Sequence, residues 1–182
     1  MPIRPRRLLP YLFIALLPLA AAAIEPPPVG SAAPDFSLPD QNGQQRQLSD
    51  YKGQWLLLYF YPKDDTPGCT EEACQFRDHI TVLNAMGTKV VGVSLDDVAS
   101  HAAFASKHQL PFSLLADTEG VVTSSYGALR DLLVIKMAKR YSFLINPEGQ
   151  IAKRYLSVDS EQHAREVIED LRQLQSPAQS AR

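Results

Sequence analysis

The chain has 182 residues, with 18 Lys and Arg against 20 Asp and Glu, a formal net charge of −2, and hydrophobic and charged fractions of 45% and 21%. These values suit one soluble globular domain with a proper core, and they exclude a wholly disordered or collagen-like chain. The near-zero charge argues against a dedicated nucleic-acid binder, because phosphate contacts need a basic excess. Two cysteines form neither a four-thiolate zinc site nor a disulfide-dense scaffold. What remains to be explained is that pair, Cys69 and Cys74.

In chain order, Arg4, Arg6 and Arg7 precede an apolar run from Leu8 to Leu19, and Ala20 to Ala23 are small. Positive, apolar, small is the order of a secretory signal peptide, with Ala21 and Ala23 suited to cleavage after Ala23. An exported, periplasmic protein is therefore expected. The alternative is an uncleaved membrane anchor, although the run falls short of the roughly 20 residues a span needs and contains Pro10 and Pro18. Loss of residues 1–23 would leave 159 residues with 15 basic against 20 acidic side chains, a balance of −5. Residues 24–33, opening with Ile24 and Glu-Pro-Pro-Pro, read as a linker that is stiff and extended rather than packed.

Residues 34–175 carry the domain. Phe36-Ser-Leu, Asn42-Gly43 and Leu48 read as an N-terminal β-hairpin with a tight turn. Trp55 to Tyr61 is a continuous apolar and aromatic run, suited to a central strand buried on both faces and ended by Pro62. Residues 62–68 are loop. Cys69, Ala73, Phe76, Ile80 and Leu83 then form one helical stripe, ended at Gly87. A strand is expected over Val90–Leu95, a helix over Val98–His108, a strand over Phe112–Ala116 and a short helix over Val121–Tyr126. Tyr141–Ile145 and Ile151–Val158 make a closing hairpin around Asn146–Gly149. A last amphipathic helix runs from Ser160, its cap, to Gln175, and a disordered tail starts at Ser176. Strands alternating with helices indicate an α/β layered fold with a mixed sheet.

Chemistry concentrates in Tyr61-Pro-Lys-Asp-Asp-Thr-Pro-Gly-Cys-Thr-Glu-Glu-Ala-Cys74. Cys69 follows Pro67-Gly68 where a buried strand gives way to a helix. The first turn of a helix has unpaired N–H groups and the positive dipole end, which favour a thiolate. Thr66 lies in the same loop and can aim its hydroxyl at whatever approaches the sulfur. Five residues along an intact helix separate Cα atoms by about 8.6 Å, whereas a disulfide needs less than about 7 Å. Cys69 and Cys74 can therefore bond only if the first turn unwinds. Cys69 lies on the apolar stripe and Cys74 off it, which suits a protected nucleophile and a more accessible second thiol.

Blander readings are weaker. A structural disulfide across so short a gap closes almost no loop. A metal site would need more ligands than the nearby His79 supplies. His101, His108 and His163 are scattered and read as surface or cap residues, and Asp64-Asp65 reads as a solvated turn.

Pro62, Thr66 and Cys69 match the Pro-x-x-x-Thr-x-x-Cys motif, and this chain resembles the peroxiredoxin family. The fuller run through Cys74 is similar to its PrxQ (bacterioferritin comigratory protein) subfamily. The resemblance extends from Pro34-Asp-Phe-Ser-Leu-Pro to Tyr141-Ser-Phe-Leu-Ile-Asn-Pro-Glu-Gly. It implies a thioredoxin-like fold with a mixed central sheet flanked by helices. It also implies a thiol peroxidase: Cys69 attacks a hydroperoxide and becomes a sulfenic acid, Cys74 condenses with it to an intramolecular disulfide, and thioredoxin or another dithiol reduces that bond. No cofactor or metal is implied, and because an intramolecular disulfide does not need a dimer, a monomer is expected, with a weak dimer as the alternative. Arg140, directly before Tyr141, occupies the place of the family's thiol-activating arginine. On the residues alone it stands even with an ordinary strand-end cation such as Lys139. Pro62 would shape and shield the pocket.

Two features depart from the subfamily. It is largely cytosolic, whereas this chain carries an export signal, which leaves the reductant open. Residues 129–137 are also unusually apolar, and read either as a short helix covering the core or as a docking surface. Two other readings of the whole chain stand beside the peroxidase. One is an exported thioredoxin-like disulfide exchanger, which would carry Cys-x-x-Cys instead. The other is a binding module with a stapled helix.

Overall fold

The computed structural model describes residues 24–132 and 134–176. The expected export segment and the tail beyond Ser176 lie outside the described residues. β1 (Ser37–Pro39) and β2 (Gln45–Gln47) pair antiparallel with Leu38 opposite Arg46, as the Asn-Gly turn predicts. The buried Asp40 carboxylate accepts from the amides of Asn42 and Gln44 at 2.8 and 3.0 Å and from Arg46 Nε at 2.9 Å, which closes the turn. The chain then runs β3 (Trp55–Phe60), α1 (Pro67–Asp78), α2 (Ile80–Ala85), β4 (Thr88–Ser94), α3 (Val98–His108), β5 (Ser113–Ala116) and α4 (Val121–Ser125). It continues through β6 (Leu129–Asp131), β7 (Lys136–Ala138), β8 (Tyr141–Ile145), β9 (Ile151–Tyr155) and α5 (His163–Leu174).

Five strands form one mixed sheet in the order β5-β4-β3-β8-β9. β4 runs parallel to β3 and β5, while β8 runs antiparallel to β3 and β9. β3 lies at the centre, and its side chains alternate between two cores. Leu57 and Tyr59 meet Phe76, Phe104, Val167 and Leu171 of α1, α3 and α5. Leu56, Leu58 and Phe60 meet Phe36, Val122, Tyr126 and Phe143 on the other face. Burial on both faces is the reason this strand reads as a continuous apolar run.

Four local expectations need correction. The stripe from Cys69 to Leu83 is carried by two helices, because His79 sits between them at φ −101° and ψ 5°, with its ring Nδ1 at 2.8 Å from Gln75 O. The last helix starts at His163; Asp159 takes the Glu161 amide at 3.0 Å, forming a turn where Ser160 was expected to cap. Among the described residues of 129–137 there is no helix. β6 and β7 pair as a hairpin with Arg130 opposite Met137, and Leu132, Val134 and Ile135 at its tip are 54%, 90% and 53% exposed. The apolar character serves the base of the hairpin, where Ala138 is buried, and leaves the tip uncovered.

The Pro-rich stretch from residue 24 is packed, contrary to expectation. Pro27 is buried, and Arg154 Nη1 donates to Pro26 O at 3.2 Å. Gly30 N donates to Ile151 O at 2.8 Å and Ala33 N to Gly149 O at 2.9 Å, so this stretch lies along β9. Proline cannot donate to a ladder, but its carbonyl still accepts, and here the arginine supplies the donor.

Candidate active site

β3 ends at Phe60, and the chain must turn back to lay α1 over the face just covered by Tyr59. Thr66 is the backbone N-cap of α1 at φ −84° and ψ 147°, and Pro67 occupies the first turn, where its missing N–H costs nothing. Thr70 N makes the first helical bond to Thr66 O at 2.9 Å. The amides of Gly68 and Cys69 precede that bond, so they have no partner within the helix. Cys69 lies on this turn, 1% exposed, and both cysteines are free thiols.

Arg140 enters from the turn between β7 and β8. Its Nη2 donates to Cys69 Sγ at 3.2 Å, and its Nη1 donates to Glu72 Oε2. One planar guanidinium thus holds a sulfur and a carboxylate together, which a lysine's single ammonium could not do in the same geometry. Burial pulls the Arg140 pKa down, but Glu72 and Cys69 outweigh it and hold it above the ordinary value. Arg140 therefore carries a full positive charge against the thiol.

Glu72 is completely buried, and burial pushes its carboxyl up to about 7 despite the neighbouring Arg140. Its Oε1 lacks a hydrogen-bond partner and lies 3.9 Å from His163 Nε2. His163 is likewise completely buried; it is not the surface or cap residue expected. Its Nε2 lies 2.9 Å from Ser142 Oγ, and its ring packs edge-on to Phe76 and Tyr155. Burial first, then the Arg140 charge, depresses its pKa to about 4, so the imidazole is neutral at physiological pH.

The loop before Thr66 is held separately. Asp64 was expected in a solvated turn but is buried, and accepts from Tyr61 OH at 2.7 Å and Ser100 Oγ at 2.7 Å, with His101 Nδ1 at 2.9 Å. Burial opposes its ionisation, yet the His101, Tyr61 and Ser100 bonds prevail and lower its pKa. Its own amide donates to Asp96 Oδ2 at 2.9 Å. Asp65 is exposed, as expected, and its left-handed φ of 56° turns its carboxylate toward Lys107 and His108 at 2.9 and 3.0 Å. His101, from α3, is therefore buried structure too.

Of the residues singled out in the sequence, Cys69 and Arg140 touch. Thr66 stands at the head of the same turn, its hydroxyl donating to Lys63 O at 3.0 Å and keeping its lone pairs for another partner. Pro62 and Arg140 line one surface pocket with Met137, Tyr141, Leu156 and Val158. Cys74 is half-buried further along α1, away from Cys69. Among the described residues, no group of three or more His, Cys, Asp and Glu side chains could hold a metal ion, and no helix is long and apolar enough to cross a membrane. Sequence reasoning missed Glu72, His163 and Asp64. The signal for Glu72 was an acid three residues after Cys69 and four before Phe76, on the face of α1 that points inward.

Comparison with known proteins agrees with this geometry. The model of the AhpC/TSA family matches residues 29–154. A putative peroxiredoxin Bcp of Coxiella burnetii is 44% identical over 144 residues, covering 77% of this chain and 95% of the relative. Peroxiredoxin Bcp of Bacillus subtilis is 38% identical over 152 residues, covering 80% and 96%. Among solved structures, peroxidoxin BcpB of Mycobacterium tuberculosis superposes with a TM-score of 0.77 at 36% identity, covering 81% of this chain and 98% of that one. The bacterioferritin comigratory protein of Xanthomonas campestris, described for its alkyl peroxide reduction activity, gives 0.74 at 30% identity, covering 80% and 98%. The fold is accordingly the thioredoxin-like one that the sequence resemblance implied. With relatives of this kind matching across nearly their whole lengths, the chain belongs to the AhpC/TSA peroxiredoxins and is a thiol peroxidase of their Bcp/peroxiredoxin Q branch.

Proposed function

We propose that Cys69 is the residue that attacks the peroxide and that Thr66, Arg140 and Pro62 serve that step. The observation that carries this reading is the 3.2 Å bond from Arg140 Nη2 to a buried sulfur on the first turn of α1. The Cys69 thiolate attacks the terminal oxygen of ROOH, and the O–O bond breaks. Cys69 becomes a sulfenic acid, and the departing RO⁻ takes a proton from solvent. Thr66 Oγ1, the amides of Gly68 and Cys69, and Arg140 orient the two peroxide oxygens and stabilise charge on the leaving one. Pro62 shields the sulfur side of the pocket from water. The apolar walls at Met137, Leu156 and Val158 suit organic hydroperoxides as well as hydrogen peroxide.

Cys74 then supplies the second sulfur. Its thiol condenses with Cys69–SOH, giving the disulfide and one water, after the first turn of α1 has opened. A thioredoxin or similar dithiol reduces the bond and is itself oxidised to a disulfide. The whole cycle runs in one chain, so we assign the enzyme as a monomer. Residues 1–23 are assigned to export, which places the cycle outside the cytoplasm and its reductant in that compartment.

Peroxide consumption with a dithiol reductant tests these roles. Cys69→Ser is expected to abolish turnover. Cys74→Ser is expected to keep one rapid oxidation per chain and to lose recycling by dithiols. Peroxide use by Cys69→Ser at the wild-type rate would overturn the assignment. N-terminal sequencing of the protein from its host tests export: a mature start at Ile24 is expected, and an intact Met1 would refute cleavage.

A further inference from the structure

We propose that the tip of the β6–β7 hairpin docks on an anionic phospholipid bilayer, with Leu132, Val134 and Ile135 entering the headgroup boundary and Arg130 and Lys136 meeting the lipid phosphates. The inference does not depend on the role assigned to Cys69.

The chemistry of the tip is the first ground. Hairpin turns ordinarily use Gly, Asn, Asp or Ser, as Asn42-Gly43 does in the first hairpin. Residues 132–135 read Leu-Leu-Val-Ile instead. Among the described residues, Val134 is the most exposed large apolar side chain, at 90%. Consecutive aliphatic residues in water mark a surface that something else covers. The backbone here is ready to leave water. Leu132 N donates to Ile135 O at 3.0 Å and Val134 N to Leu132 O at 2.8 Å. These amides would enter an apolar boundary already paired, which avoids the cost of orphaned donors.

Charge is the second ground. Residues 129–139 carry Arg130, Lys136 and Lys139 against Asp131, in a chain whose formal net charge is −2. Lys136 Nζ lies 3.5 Å from Asp131 Oδ2 and offsets that acid. Lys139 is engaged at the root of the hairpin, with Gly127 O at 3.0 Å and the Tyr141 ring. Arg130 pairs with Met137 and Asp131 with Lys136. Successive strand residues face opposite ways, so Arg130 and Lys136 put one cation on each face of the hairpin. Arg130 is two residues behind Leu132, about 7 Å along the strand. That spacing matches the roughly 5–10 Å to which an interfacial element sinks. Hydrocarbon thus meets the apolar tip while phosphates meet the cations behind it.

A protein partner fits less well. Three aliphatic side chains on a turn cover far less than the roughly 800 Å² per partner of a standard interface, whereas a bilayer needs no matching shape. The chain's entry point agrees with a membrane. Ile24, where residues 1–23 join, lies against Gly127, two residues before β6. An export segment still held in a membrane therefore brings the root of this hairpin to that surface. Arg130 and Met137 also line the pocket of Pro62 and Arg140, so docking holds that pocket beside the bilayer.

The experiment is hydrogen exchange of the full chain with vesicles of phosphatidylcholine, alone or mixed equally with phosphatidylglycerol. Exchange localises the contact, so binding through residues 1–23 is read separately. Exchange across residues 130–136 is expected to slow tenfold or more on the mixed vesicles and to keep its free rate on phosphatidylcholine. Val134→Asp places an acid at the tip. It is expected to remove this protection while consuming hydrogen peroxide in solution at the wild-type rate. Val134→Ser combined with Ile135→Ser repeats the test without added charge, and the same loss is expected. Unchanged exchange over 130–136 on mixed vesicles, equal protection on both kinds, or protection that survives both variants overturns the proposal. Protection that arises without vesicles as protein concentration rises, and that Val134→Asp abolishes, assigns the tip to a second copy of the chain and overturns it as well.

Discussion

At the scale of single residues, the site depends on a fork and on a displaced proton. Arg140→Lys keeps the charge but gives up the two-pronged bond to Cys69 and Glu72. The expected result is a fall in kcat/KM for peroxide of about a hundredfold, on the order of 3 kcal/mol of transition-state stabilisation, read by competition kinetics at limiting peroxide. The displaced proton belongs to Glu72 and His163. In the unfolded chain between about pH 4.5 and 6.5, a glutamate is ionised and a histidine charged. In the native state the assignments reverse, since Glu72 is raised to about 7 and His163 is depressed to about 4. The lowered His163 pKa makes the unfolded state bind more protons there, so its stabilising contribution is lost as pH falls from 6.5 toward 4. The raised Glu72 pKa does the opposite: stability is favoured at acid pH and lost as pH rises from about 4.5 to 7. The two slopes cancel, each on the order of 3 kcal/mol over its window. Glu72→Gln should therefore unmask the histidine. Its urea midpoint is expected to drop between pH 6.5 and 4.5 while wild type stays nearly flat; parallel curves for the two proteins would refute this pairing.

At the scale of elements, the loop from Pro62 to Thr66 and the helix after it are held by different means. Asp64 is tied to Tyr61, Ser100, His101 and, through its amide, Asp96. α1's first turn is tied through Arg140. The loop can thus keep Thr66 in place while the turn beyond it opens. Asp64→Ala leaves several buried donors unpaired and is expected to cost about 3 kcal/mol in denaturant unfolding. It should also slow the first oxidation, because Thr66 loses its frame. The elements themselves were mostly legible. β3 announced its burial by an unbroken apolar run, α3 matched its expected limits, and Asn42-Gly43 fixed the first hairpin. The errors arose where a polar residue replaced an apolar one inside a core stripe. His101, His163 and Glu72 sit at helical spacing from Phe104, Val167 and Phe76, and each finds one partner far away in sequence, in Asp64, Ser142 and Arg140. Residues 129–137 were misjudged for a related reason. A two-stranded hairpin with an uncovered tip leaves no alternating pattern over so few residues, so apolar content alone suggested a helix. Cys69, Thr66 and Pro62 could be grouped from the sequence because they stand within eight residues of one another. Arg140 was not readable from its own neighbours, since it meets Cys69 only through the pairing of β3 with β8.

At the scale of the whole molecule, the stretch that follows the expected export segment is built into the domain, and one glycine makes that possible. Gly127 has φ 64°, and a Cβ there would lie 2.5 Å from Pro26 N and 2.7 Å from Ile24 O. Two backbones touch at a point where only glycine fits, and where the conformation itself disfavours any other residue. Gly127→Ala therefore combines a left-handed backbone penalty with a collision against main chain that has no flexible end to move. The expected loss is on the order of 2 kcal/mol, with residues 24–28 pushed off the domain. Gly149→Ala separates the two causes. Its φ of 80° carries the same backbone penalty, but nothing lies within 4 Å of the added Cβ. Its loss should stay near 1 kcal/mol, and the N-terminal stretch should remain seated. Urea unfolding of both variants, with limited proteolysis mapped by mass spectrometry, reads the difference. Faster cleavage between Ile24 and Pro28 in Gly127→Ala alone is the expected pattern, and equal cleavage in both variants would show that this stretch is not held by the contact with Gly127.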